Sequence, residues 1–181
     1  MTTGYLGGTR YSGSAEARIV AFHGQRMAVA RFSGPIGLPR GFYASDVIES
    51  FNRLGDYDVL YGILDSPGGS ATEAWLIHDF LVRGPARRQG SLVLIATECS
   101  GDAILIGLGF QQILMHPQSY IRFHPMERGR SASTQRVTKL IAGLIARRIG
   151  CQIENVLGWM DKSRKLTAEE CLSLSLCDAI I

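Results

Sequence analysis

Lysine is scarce in this chain: Lys139, Lys162 and Lys165 are the only three, so its 19 basic residues are mostly arginine, set against 16 acidic ones. The resulting net charge of +3 is too small to define a nucleic-acid partner. Cysteine is sparse as well. Cys99, Cys151, Cys171 and Cys177 form no C-x-x-C pair and no zinc-type spacing, which argues against a disulfide framework or a metal site and fits a reducing, cytoplasmic setting. No apolar run approaches the ~20 residues of a membrane span. The opening MTTGYLGGTRYSGS lacks the basic end and apolar stretch of a secretion signal. Membrane insertion and secretion are therefore not expected, and nothing in the residue pattern calls for a cofactor. What is present is 46% hydrophobic content over 181 residues, enough for one compact core. A loose arm rich in Gly, Ser and Thr is expected over residues 1–15, followed by a single domain over 16–181.

The pattern along the chain alternates between strand and helix. Arg18–Phe22 and Met27–Phe32 read as two strands joined by a turn at His23-Gly24-Gln25. A helix is expected from a Ser45 cap through Leu54, then a doubly buried strand over Asp58–Leu64. A helix over Ala71–Val82, a basic loop, a strand over Leu92–Ala96 and a helical run over Ala103–Gly109 follow. Short strands over Ile113–Met115 and Tyr120–Phe123 come next, then helices over 134–149, Ile153–Asp161 and from Ala168. This order predicts an α/β architecture with right-handed crossovers. In such sheets ligands and catalytic groups gather at the carboxyl ends of strands.

Three elements there carry chemistry-bearing residues. Ser66-Pro67-Gly68-Gly69 turns sharply where glycine leaves backbone N–H groups accessible, which suits an oxyanion and equally suits a plain turn. Cys99-Ser100-Gly101 opens an apolar helical run, where Ser100 reads as a nucleophile or as an N-cap. His124 ends a strand just before Pro125, as a base or as a structural histidine.

The order of these pieces resembles the Clp protease proteolytic subunit, a serine peptidase of the ClpP/crotonase superfamily. The resemblance runs from about Val29 to the C-terminus, and its most specific parts are ILDSPGGSATEA, CSGDAILIGLG, HPQSYIRFHP and RKLTAEECLSLSLCDAII. It implies repeated ββα units, a mostly parallel sheet and a helical handle. It also implies Ser100 as nucleophile, His124 as general base, Gly68 and Gly101 as oxyanion-hole amides, and Gly69 as a support of that loop. Such a site hydrolyses peptide bonds through an acyl-enzyme. The implied partners are a peptide or unfolded protein substrate and further copies of the chain in a homo-oligomeric ring. An AAA+ unfoldase is a further partner the resemblance allows, but the N-terminus does not match the family's axial segment, so that docking is not assured. Cys99 competes with Ser100 by a one-residue shift, and serine is preferred because the family uses it.

The pattern departs from the family at the third triad position, where Ser163 stands in place of aspartate. Asp161 or Asp102 are the substitutes in view. Asp65 replaces the asparagine usual before SPGG, either to perturb His124 or to cap the turn. The handle is shortened, and the glycine-rich strand after the histidine is reduced to Glu127-Arg-Gly-Arg130. Val137, Leu140, Ile141, Leu144, Ile145 and Ile149 form a helical stripe expected to face the core or a subunit interface. The six basic residues from Arg128 to Arg148 read as a solvated face, since no aromatics interleave for base stacking. Two other functions stay open: a weak or inactive assembly subunit, and a crotonase-type enzyme whose loop amides stabilise a thioester enolate.

Overall fold

The structure is a computed structural model describing residues 12–37, 39–87, 90–125 and 132–181, with side chains from 135 onward in the last segment. Strands β1 (Ser14–Phe22) and β2 (Gln25–Ser33) form an antiparallel hairpin. His23 and Gly24 close it with φ of 46° and 79°, the left-handed pair that a tight two-residue hairpin turn requires. β1 begins at Ser14, earlier than the apolar pattern indicated, because pairing continues to Ser14 opposite Ser33 while Ala15 and Ala17 pack on the core. Residues 1–11 of the expected arm lie outside the described residues.

Parallel pairing then runs from β2 through β3 (Val59–Ser66), β4 (Leu92–Ser100), β5 (Gln112–Met115) and the short C-terminal β8 (Ala179–Ile180). The expected mostly parallel α/β sheet is therefore present. β4 is the element that shapes the site. Its first half pairs with β5 and its second half, Glu98–Ser100, pairs in parallel with β6 (Tyr120–Arg122). β6 in turn pairs antiparallel with β7 (Lys165–Thr167). The sequence reading ended this strand at Ala96, since Thr97 and Glu98 interrupt the apolar run. The chain accommodates them with an irregularity: Leu64 pairs with Ile95 but Ser66 with Cys99. Asp65 covers it, its Oδ1 accepting from the Glu98 backbone N–H at 3.3 Å. A bulge of this kind bends a strand and re-aims the residues beyond it.

Helices α1 (Ala44–Asn52), α2 (Ala71–Arg83), α3 (Ile104–Leu108), α4 (Ala132–Ile149), α5 (Ile153–Asp161) and α6 (Ala168–Ser173) complete the chain. The Ser45 cap is not used: α1 starts one residue earlier, and the Asp46 carboxylate accepts from the Tyr43 N–H at 2.8 Å. α2 is capped by Ser70, whose hydroxyl accepts from Glu73 N–H at 3.3 Å. α6 carries a reciprocal box between Thr167 and Glu170. Leu64, Ile77, Leu81, Ile95, Leu105 and Ile106 form the centre of the core and are almost wholly removed from water, each worth about 1.5–3 kcal/mol.

The α4 stripe proves to be core. Ile141 and Ile145 are buried with Ala142 and Ala146, and Val137, Leu144 and Ile149 pack on the same cluster, whereas Leu140 is 49% exposed. At the C-terminus Asp178 ties β8 down. Its backbone N–H donates to Ile113 O and its Oδ2 accepts from Ile113 N–H, both at 2.7 Å, while Arg148 Nη2 lies 2.6 Å from Oδ2.

Candidate active site

The register of β4, β6 and β7 sorts the site residues by face. Side chains alternate along a strand and paired residues share a face. Glu98 lies opposite Tyr120, Cys99 opposite Ile121, and Ser100 opposite Arg122. Tyr120 lies opposite Thr167, Ile121 opposite Leu166, and Arg122 opposite Lys165. Cys99, Ile121 and Leu166 therefore form one layer, and all three are buried in the core. Glu98, Ser100, Tyr120, Arg122, Lys165 and Thr167 form the other. The ladder continues through Phe123 N–H to Arg164 O at 2.9 Å, and His124 follows directly.

This alternation separates the two candidate nucleophiles. Cys99 faces the core, fully buried, and burial pushes its thiol far above the usual range, with the neighbouring Cys171 and Glu98 adding to the shift. Such a thiol yields no thiolate at neutral pH. Ser100 belongs to the polar layer, and its Oγ donates to Glu98 Oε1 at 2.5 Å.

Ser100 stands at the N-cap position of the turn that follows, but its side chain makes no capping hydrogen bond. It is also the last residue of β4. A 3-10 turn over Gly101–Ala103 follows, and the helical run shrinks to the five residues of α3.

Glycine is required at both flanking loops. Gly101 has φ of 54°, and a methyl carbon on its Cα would lie 2.7 Å from His124 Nδ1 and 3.2 Å from Cγ. The imidazole is thus stacked against the backbone of the residue directly after Ser100. Gly68, with φ of 90°, backs onto the same place: a methyl there would lie 2.5 Å from Ser100 O and 3.3 Å from Asp102 N. Gly69 meets Ile36 as closely, and the strand-like bridge of Ile36 with Gly69 pins the turn. In this state the Gly68 N–H donates to Ser66 Oγ at 3.1 Å, and that hydroxyl donates to Gly34 O at 2.7 Å.

The structure brings Ser100, His124, Gly68 and Gly101 together, and Asp102 sits beside them in the turn after Gly101. Ser163 lies in the turn after α5, its N–H donating to Met160 O at 3.0 Å, exposed, with φ of 50°. Asp161, two residues earlier at the end of α5, is likewise exposed. The Asp65 carboxylate accepts a hydrogen bond from the Glu98 N–H of β4. Residues 127–130, where the family's glycine-rich strand would fall, lie outside the described residues.

Sequence reasoning missed Glu98 and Tyr120. The Tyr120 phenol is raised by burial first, then by the charge of Glu98 and a hydrogen bond to its side chain, with Arg122 pulling the other way. Lys165 Nζ lies 3.6 Å from the Tyr120 ring centroid. A signal existed in Glu98-x-Ser100, which places both side chains on one face as soon as the strand is allowed to run to Ser100.

A largely parallel sheet with a glycine turn after β3, and with β4 shared between β5 and β6, gives a ClpP-like fold. Two solved structures of ClpP1 from Listeria monocytogenes, one of them a point mutant, superpose with a TM-score of 0.70 at 20% identity, covering 84% of this chain and 90% of that one. A mutant of the 1510-N membrane-bound stomatin-specific protease superposes with a TM-score of 0.57 at 18% identity, covering 84% and 78%. At these identities the likeness is one of fold. No protein-family model and no curated protein sequence matches the chain.

Proposed function

We propose that the chain is a serine-type peptidase that hydrolyses peptide bonds through an acyl-enzyme on Ser100. The observation that carries this reading is the packing of the His124 ring on Gly101, one residue from a serine of the same polar layer. Ser100 Oγ attacks the carbonyl carbon, His124 takes the hydroxyl proton and returns it to the leaving amine, and water then repeats the sequence on the ester. The amides of Gly68 and Gly101 receive the developing oxyanion. For Gly68 this requires its N–H to exchange Ser66 Oγ for the substrate oxygen. One such donor is worth about 3–4 kcal/mol.

Ser163 can orient the imidazole but cannot balance its charge. Loss of the triad carboxylate costs about 10⁴ in turnover in well-studied cases, so slow hydrolysis is the expectation. That same residue favours the second reading, an assembly subunit of weak or no activity. By analogy of fold the working form is a homo-oligomeric ring acting on peptides or unfolded protein, with a cytoplasmic setting.

A fluorophosphonate probe tests the proposal. Stoichiometric labelling of Ser100, abolished by Ser100→Ala, is the expected result. An unlabelled Ser100 in folded protein would establish the non-catalytic reading instead.

A further inference from the structure

We propose that Glu98 is a second base for Ser100, supplying at the nucleophile the carboxylate that position 163 does not supply at the histidine. This inference rests on the acyl-enzyme reading of Ser100. The Ser100 hydroxyl donates directly to Glu98 Oε1 at 2.5 Å, in the range of a charge-assisted O–H···O⁻ bond. The two residues stand two apart on β4, and so on one face. The same carboxylate takes a hydrogen bond from the Tyr120 hydroxyl, which lies opposite Glu98 in the β4–β6 register. Two hydroxyls therefore aim the carboxylate, and one of them belongs to the nucleophile.

The charged and titratable groups around it come from every neighbouring strand. Asp65 on β3 accepts the Glu98 backbone N–H. Tyr120 and Arg122 lie on β6, with His124 beyond, and Lys165 on β7 sits over the Tyr120 ring. Arg122 and Lys165 offset the negative charge of Asp65 and Glu98. The polar layer thus keeps a carboxylate beside the nucleophile without an excess of like charge.

The proton balance is simple. As the Ser100 Oγ–carbon bond forms, the hydroxyl proton passes to Glu98 Oε1, leaving a neutral carboxylic acid and an oxyanion. When the C–N bond breaks, that proton goes to the leaving amine and the carboxylate is restored. A water attacking the ester repeats the cycle. Carboxylates as a class are weaker bases than imidazoles and stay ionised at lower pH. Acylation then persists into mildly acidic solution.

The test is the rate of fluorophosphonate labelling of Ser100 between pH 5.5 and 7.5, in wild type, Glu98→Gln and His124→Gln. A histidine base of ordinary pKa acting alone predicts a loss of about tenfold over this range. The expected result is a loss under about twofold in wild type, a loss near tenfold in Glu98→Gln, and measurable labelling at pH 5.5 in His124→Gln. The inference is overturned by the same tenfold loss in wild type and Glu98→Gln. Faster labelling of Glu98→Gln at every pH would also overturn it, showing that the carboxylate restrains the hydroxyl. Absence of labelling in all three folded proteins at every pH is a different failure, because it removes the acyl-enzyme reading itself.

Discussion

Replacing Gly101 with alanine separates the two demands that the site places on that residue. A methyl group there would stand 2.7 Å from His124 Nδ1, whereas carbon contacts settle near 3.5 Å or more, so the ring must move by about 1 Å. His124 is exposed, and its ring can retreat into solvent without disturbing the core. The stability cost therefore reduces to holding alanine at φ of 54°, about 1–2 kcal/mol. For a domain of this size that is a fall of about 2–8 °C in thermal midpoint. Displacing a catalytic base by about 1 Å costs about 10²-fold in rate. Gly24 supplies the control: its φ is 79° and a methyl there meets nothing within 4 Å. Gly24→Ala should lower the midpoint similarly by circular dichroism, yet label with fluorophosphonate at the wild-type rate. If Gly101→Ala and Gly24→Ala label equally fast, the imidazole is not held as described and the base assignment falls.

Native alkylation with iodoacetamide should modify the half-exposed Cys151 and spare Cys99, Cys171 and Cys177, all three buried and the Cys171 thiol pushed up to about 12 by burial; a Cys99 adduct would contradict the face assignment. His78 is buried with Nδ1 2.9 Å from Leu105 O, and burial lowers its pKa below the usual 6.5 although the carbonyl and Asp79 oppose this. The unfolded chain therefore takes up the proton first, so this contribution to stability is intact above pH 6.5 and is lost as pH falls through the lower folded-state value. His78→Gln should lose less of its urea midpoint than wild type between pH 7.5 and 5.5, and equal losses would refute the assignment. Asp178→Ala leaves the Ile113 N–H without its acceptor and Arg148 without its carboxylate, which should cost about 1–3 kcal/mol by denaturant titration. Asp178→Asn, which keeps an acceptor, should cost less.

The sequence was informative wherever one physical signal dominated. The continuous apolar run at β3 and the glycine turn after it could be placed because a doubly buried strand has no polar residue to confuse its period. The same rule misplaced the end of β4, where Thr97 and Glu98 belong to a strand that has passed its bulge and left the core on one face. Partner-dependent elements were invisible for a similar reason. β7 has three residues and β8 two, so neither shows a period of its own, and each exists because an established strand offers it unpaired N–H and C=O groups. Ser100, His124, Gly68 and Gly101 were legible as one constellation through the family resemblance, but not from the residue pattern alone. What joins them is the β4–β6 register, a pairing between distant segments that no local pattern encodes.

That register bears on what would activate Ser100 under the proposed mechanism. A serine at the first turn of a long helix would borrow the axial dipole of the helix, an effect confined to its first turn. Ser100 instead ends a strand, and only a three-residue 3-10 turn and the five residues of α3 follow it. Under the proposed mechanism, polarisation of its hydroxyl would come chiefly from discrete groups. On this face those are the Glu98 carboxylate in hydrogen bond with it and the imidazole stacked on Gly101. Electrostatic help at such a site depends on a few atoms held to within a fraction of an ångström. This is why a single methyl group at Gly101, which meets only the movable His124 ring, should act more strongly on rate than on folding.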